Sequence, residues 1–229
     1  MNEYTRANDF DRLVGKIQTE YAIKYGVGNS LLDIGCGVGE YTPLFLSRFK
    51  RVVGLDPSKE YLKEAKQNTQ GISYLLGYGE TFTTNERFDT ISMNNILEHV
   101  DDPIALLQNC KKHLKYGGRI IVQVPNKNSV TRRLGVLMGL IPSIEHISEK
   151  ERDFYGHQRA YDLDSLNRDC KRAELSIVTQ GGILYKPLPN EVLLKIYQEM
   201  ENKAEFLNAL IDFGNEHESD CACIYTVCE

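Results

Sequence analysis

Asp33, Gly35, Gly37 and Gly39, set at alternate positions in the run LLDIGCGVG, carry the clearest chemical meaning in this chain. Alternating glycines let a backbone turn sharply and approach a ligand where a Cβ would collide. Cys36 lies within the same loop. A carboxylate at the head of such a loop suits a cationic group better than an anionic one. Asp56 follows 23 positions later with Pro57 behind it, the spacing at which an acidic residue holds a ribose diol; taken alone it reads equally as a helix cap. The rival GxGxxG loop of dinucleotide-binding proteins requires glycine where Glu40 stands, and Glu40 in a first helical turn would repel a pyrophosphate. Farther on, His157, Arg159 and Tyr161 alternate on an extended stretch and project to one side. With His99 and His146 they bring imidazoles, the side chains best suited to moving a proton near neutral pH. The bland reading of the His, Arg, Tyr set is a hydrogen-bonded brace.

These residues need elements that bring strand ends together. Leu31, Leu32 and Ile34 form a short buried strand, and Glu40 onward reads as a helix start. Arg51 to Leu55 is a second strand, with Ser58 ready to open a helix. Ile72 to Leu76, Phe88 to Met93, and Lys115 to Pro125 with its Gly117 and Gly118 turn supply three more. Strands alternating with helices imply a parallel sheet covered on both faces, with ligands at the carboxyl ends of the strands. Asp33, Asp56, Glu80 and Asn94 all fall at such ends.

At 229 residues and 41% hydrophobic, the chain can bury one sizeable core with an appended cap. A single domain is expected: a helical cap over 1–28, a ligand-binding core over 29–125, a lid over 126–160, and sheet completion with helices over 161–229. A net charge of -5 gives no general attraction to nucleic acid. The six cysteines show no CxxC spacing and read as small buried hydrophobes in a reducing cytoplasm. No signal peptide or membrane span is evident, so a cytoplasmic location is expected. Tyr4 to Tyr25 carries Phe10, Leu13, Val14, Ile17, Tyr21 and Ile23 at helical spacing, predicting a helix over the ligand entrance. Val130, Leu134, Leu137 and Leu140 mark an amphipathic segment, read as a lid over the substrate in preference to a membrane-touching helix with Arg132 and Arg133 facing phospholipid. Asp162 is placed to cap a helix through Cys170. Leu193, Ile196, Tyr197 and Met200, then Phe206, Leu207, Leu210 and Ile211, form stripes suited to a core or a homodimer surface. Cys221 to Cys228 is expected to return as an antiparallel edge strand.

The DxGxGxG spacing resembles motif I of class I methyltransferases that use S-adenosylmethionine, and Leu97, Glu98, His99 and Val100 resemble the LEHV signature of their small-molecule branch, the type 11 or ubiquinone-biosynthesis-like group. The resemblance runs through more than half of the chain. It implies a Rossmann-like doubly wound seven-stranded α/β sheet with an antiparallel last strand and a helical lid. It also implies S-adenosylmethionine as cofactor, held by Asp33, Gly35, Cys36, Gly37, Gly39, Asp56, Pro57, Gly79, Glu80 and Asn94. Tyr78 stands where many relatives have aspartate, which moves the expected adenine contact to the backbone of Gly79 and Glu80. The expected acceptor is a small polar molecule, most readily a hydroxyl of a sugar or related metabolite of surface-glycan or natural-product pathways, with a phosphorylated metabolite also compatible, met by Tyr155, Arg159, Tyr161 and Lys186. His157 is the first candidate base and His99 the second. Quinone-type relatives resembling this branch use the Glu98 and His99 pair for a divalent ion, but Asn95 replaces an acidic position there, so no metal is expected. N-methylation of a small amine or peptide terminus is the alternative; base-amino methylation is disfavoured, because Asn94 is followed by Asn95, Ile96 and Leu97 instead of two prolines and an aromatic. A cofactor-binding module without turnover, and a nicotinamide oxidoreductase, are the rivals from other classes.

Overall fold

The computed structural model describes residues 9–229. The start of the N-terminal helix expected from Tyr4, and with it part of the 1–28 cap, lies outside the described residues. Helix α1 (Asp9–Tyr25) leads into strand β1 (Ser30–Ile34), whose five residues are all buried. β2 (Arg51–Asp56), α2 (Lys59–Asn68), β3 (Ile72–Leu76), β4 (Phe88–Asn94), α3 (Pro103–Lys112) and β5 (Leu114–Pro125) follow. Then come α4 (Val130–Leu137), α5 (Leu163–Arg172), β6 (Ile177–Ile183), α6 (Asn190–Glu199), α7 (Lys203–Glu216) and β7 (Cys223–Cys228).

The seven strands lie in the order β3-β2-β1-β4-β5-β7-β6. β1 to β5 pair in parallel, and β7 runs antiparallel to both β5 and β6. Alternation along the strands sorts the core into two layers. Leu32, Ile34, Val53, Ile91 and Val122 pack with Leu106 and Leu107 of α3 and Leu166 of α5. Leu31, Val52, Ile121 and Val227 face the other way, onto Phe10, Ile17 and Tyr21 of α1 and Leu193 of α6. The strand order reverses between β1 and β4, which opens the crevice where such sheets bind ligands.

The structure corrects two expectations here. The last strand is antiparallel but internal: β7 lies between β5 and β6, with all six residues buried, as its near-continuous apolar run CIYTVC requires of a strand covered on both faces. The helix expected from Glu40 is a short 3-10 turn, Thr42–Ser47, with bonds that run i to i+3, as from the Leu44 N–H to the Tyr41 carbonyl. Ser58 caps α2 and Asp162 caps α5, as their spacing predicts. All six cysteines are buried and free. Among the described residues no helix is long and apolar enough to cross a membrane.

Candidate active site

The carboxyl ends of β1, β2 and β4 open into a cavity of about 750 Å³, a volume typical of small-molecule sites. Its first half is built by the glycine loop. Gly35, Gly37 and Gly39 have φ of 73°, 54° and 75°, the left-handed region that favours glycine. The Gly35 and Cys36 amides both donate to the Leu55 carbonyl, at 2.7 and 3.1 Å, and so staple the loop to β2. A Cβ on Gly35 would stand 2.0 Å from Ile96 Cδ1, so a larger residue would displace that cavity wall. The Asp56 carboxylate is fixed from two sides: Gly37 N–H donates to Oδ2 at 2.9 Å and Ser58 N–H to Oδ1 at 2.8 Å. Asp33 accepts from Thr42 Oγ1 at 2.7 Å, and burial pushes its carboxyl up to about 7.

Asp33, Gly35, Cys36, Asp56, Pro57, Gly79, Glu80 and Asn94 all line the cavity. Gly37 and Gly39 do not: Gly37 holds Asp56 through its amide, and Gly39 packs where a Cβ would meet the Tyr74 hydroxyl at 2.9 Å. The opposite wall is set by Asn109, whose amide donates to the carbonyls of Gly79 and Phe82, each at 3.0 Å. A Cβ on Gly79 would meet Leu106 Cδ1 at 2.3 Å. Two oriented carboxylates beside a cradle that side chains would fill fit a ligand with a ribose diol and a cationic end.

The second half of the cavity is walled by α1. Gln18 and Asn95 exchange two amide hydrogen bonds, of 3.0 and 3.1 Å, across the gap between α1 and the end of β4. Asn95 takes a left-handed φ of 54° there, a conformation that asparagine tolerates better than most residues. Gln18 was not singled out from sequence, yet it falls four residues after Val14 on the apolar stripe of α1, where a lone amide is the available signal. Next along this wall, Glu98 is buried with neither carboxyl oxygen hydrogen-bonded. Burial pushes it up to about 8. Its Oε1 is 3.8 Å from His99 Nε2, too far for a hydrogen bond. Burial, and then His157, lower His99 to about 4 against the carbonyls of Gly156 and Tyr155, so Glu98 and His99 are both neutral near pH 7 and form no ion pair. The rings of His99 and His157 meet edge to face with centroids 4.8 Å apart, and burial lowers His157 as well. One ligating atom each from Glu98, His99 and His157 lies within 4.8 Å of the others. Tyr155 and Lys186 also line this half, together with Asn190 of α6.

Two of the residues expected at the acceptor do not reach it. The Arg159 guanidinium donates to the carbonyls of Leu97, Val100 and Asp101, and Tyr161 is buried with its hydroxyl donating to Asp169 Oδ2 at 3.0 Å. Both brace the returning chain against the core, the bland reading of the pattern, while His157 alone of the three enters the cavity. Tyr161→Phe should therefore cost about 1 kcal/mol of unfolding free energy, read by urea denaturation, and leave ligand affinity unchanged. The lid expectation is also revised. α4 buries none of its residues and contributes none to the cavity, so among the described residues the 126–160 segment reaches it through Tyr155 and His157. Arg132 pairs with Glu151 and Arg133 with Asp220, so neither guanidinium is held out for phospholipid. His146 stays outside the cavity and offers its carbonyl to Arg132.

Comparison with known proteins agrees with this geometry. A family model described as a methyltransferase domain matches residues 6–180. The ubiquinone biosynthesis O-methyltransferase of Idiomarina loihiensis is 30% identical over 72% of this chain and 69% of its own length. That of Nitrobacter winogradskyi is 31% identical over 70% of this chain and 61% of its own length, so the chain spans less than two thirds of that relative. Among solved structures, an S-adenosylmethionine-dependent methyltransferase of Thermotoga maritima, described as a possible histamine N-methyltransferase, superposes with a TM-score of 0.67 at 19% identity, over 99% of this chain and 93% of its own, which speaks to the fold. With motif I, the paired acids and the crevice in place, the chain belongs to the class I S-adenosylmethionine-dependent methyltransferases, in their small-molecule, ubiquinone-biosynthesis-like branch.

Proposed function

We propose that this enzyme methylates a hydroxyl of a small polar acceptor, with His157 taking the hydroxyl proton and His99 supporting it. The observation that carries this reading is the neutral group of Glu98, His99 and His157, brought together on the wall of the cavity that Asp33 and Asp56 also line. When bound, S-adenosylmethionine supplies a methyl already activated on a sulfonium, so the protein has to align, exclude water and accept a proton. Asp33 and Asp56 are the residues proposed to hold the cofactor's cationic and ribose ends. His157 keeps a free lone pair near pH 7 because burial depresses its protonation. The polar wall of Gln18, Asn95 and Asn190 suits a sugar or related metabolite. The relatives' names, which specify O-methylation in ubiquinone biosynthesis, support oxygen as the methylated atom and make a quinol-type hydroxyl the second acceptor class to test.

Two expected outcomes follow from the electrostatics. In the unliganded fold Asp33 holds its proton up to about pH 7. Its burial then destabilises the fold as pH rises from the ordinary carboxylate range through 7, since the folded chain binds the extra proton. A cationic ligand end reverses that preference, so binding below pH 7 must expel the proton. Affinity for S-adenosylhomocysteine should rise by up to about tenfold per pH unit until about pH 7 and then level off. Calorimetry across pH checks this, and Asp33→Asn should bind weakly with no such slope. The second outcome concerns the Glu98, His99 and His157 group: if it moves a proton without a divalent ion, prolonged chelation should leave the methylation rate unchanged. Loss of rate restored by an added divalent metal would reassign these groups as ligands.

A further inference from the structure

Lys186 is out of place in this cavity. Among the described residues that line it, six bear carboxyl groups, Asp11, Asp33, Asp56, Glu80, Glu98 and Asp101, and Lys186 is the single lysine or arginine. Asp33 and Asp56, in β1 and β2, are taken up by the cationic end and the ribose diol proposed for the cofactor. Lys186 stands in the other half, beside Cys223 and the first residue of α6.

Its Nζ donates to Asn190 Oδ1 at 2.6 Å, and no ion pair among the described residues includes it. Burial lowers its basicity, opposed by Cys223 and then by Asp11 and Glu191. The surrounding chain holds it in place: Thr131 Oγ1 donates to the Lys186 carbonyl, and the Asn190 amide donates to Asp11 Oδ1. Because Asn190 reaches Asp11 through its own amide, the tie between α6 and α1 closes without the ammonium. The half-buried ammonium, held by Asn190 and without a salt-bridge partner among the described residues, keeps donor capacity facing the cavity that an anion would satisfy.

We propose that Lys186 anchors an anionic group carried by the acceptor, a carboxylate or a phosphate, and so selects acidic acceptors. The inference rests on the methyltransferase reading and narrows its substrate class. One oxygen of the anion would take the donor capacity that Asn190 leaves unused, holding the hydroxyl to be methylated toward His157.

The test is calorimetry on the protein saturated with S-adenosylhomocysteine, titrated separately with inorganic phosphate, benzoate and benzyl alcohol. The wild type is compared with Lys186→Gln and with Lys186→Met, which keeps an unbranched side chain. The expected result is binding of at least one anion, weakened about tenfold or more in both variants, with benzyl alcohol indifferent to the substitution and S-adenosylhomocysteine affinity unchanged. No anion binding to the wild type, or equal binding to the variants, would overturn the anchor alone. Failure of the wild type to bind S-adenosylhomocysteine in the preliminary titration would instead overturn the cofactor reading on which it rests.

Discussion

Asp56→Ala should weaken binding of S-adenosylhomocysteine by about 100-fold, the loss of roughly 2 to 3 kcal/mol expected when a charge-assisted carboxylate contact is removed. The carboxylate is oriented before any ligand arrives, by the Gly37 and Ser58 amides on its two oxygens. The ligand therefore meets an acceptor that needs no reordering. Truncation also leaves the Gly37 amide without its partner at the bend of the loop, so the cradle loosens where it must stay close. Fold stability should fall by about 1 to 3 kcal/mol as the buried Gly37 amide loses its acceptor, partly offset because burial disfavours the charged form of Asp56 and its removal relieves that cost. Calorimetry with the ligand, alongside thermal unfolding of the unliganded variant, separates the two effects. Unchanged affinity would mean that the ribose is held elsewhere.

His157→Ala should lower the methylation rate by about 10²- to 10⁴-fold, the range for removing a general base, with S-adenosylhomocysteine affinity intact. His99→Ala should cost less, since the His99 ring is turned to the Gly156 and Tyr155 carbonyls and acts on His157 by packing. The wild-type rate should hold its plateau to pH values below the ordinary histidine range, because the lowered protonation of His157 keeps the base form available there. A larger loss in His99→Ala than in His157→Ala would exchange their roles. An unchanged rate in both would favour an amine acceptor, which needs less help with its proton.

Much of the fold was legible because its signals are local. The left-handed glycines of the loop, the buried runs of β1 to β5 and the caps at Ser58 and Asp162 each depend on a few adjacent residues. The internal place of β7 depends on which strands it joins across the whole chain, so the run Cys221 to Cys228 reads as an edge strand although all six strand residues are buried. At the site, the carboxylates at strand ends were readable, since strand direction fixes where an end must point. Arg159 and Tyr161 misled for a physical reason. Alternation placed them on the side of His157, but it says nothing of the Leu97, Val100 and Asp101 carbonyls or the Asp169 carboxylate that capture them. The position of α4 was equally unreadable, because an amphipathic stripe states that a helix has two faces and leaves open what either one covers.

The most direct test of the account is a single incubation of the enzyme with S-adenosylmethionine carrying a carbon-13 methyl group and a pool of hydroxylated and aminated small metabolites, read by carbon NMR. The account predicts a new oxygen-bound methyl resonance that grows in step with S-adenosylhomocysteine and is lost in His157→Ala. A nitrogen-bound methyl resonance would contradict the hydroxyl acceptor, and cofactor binding with no labelled product from any pool would contradict turnover itself.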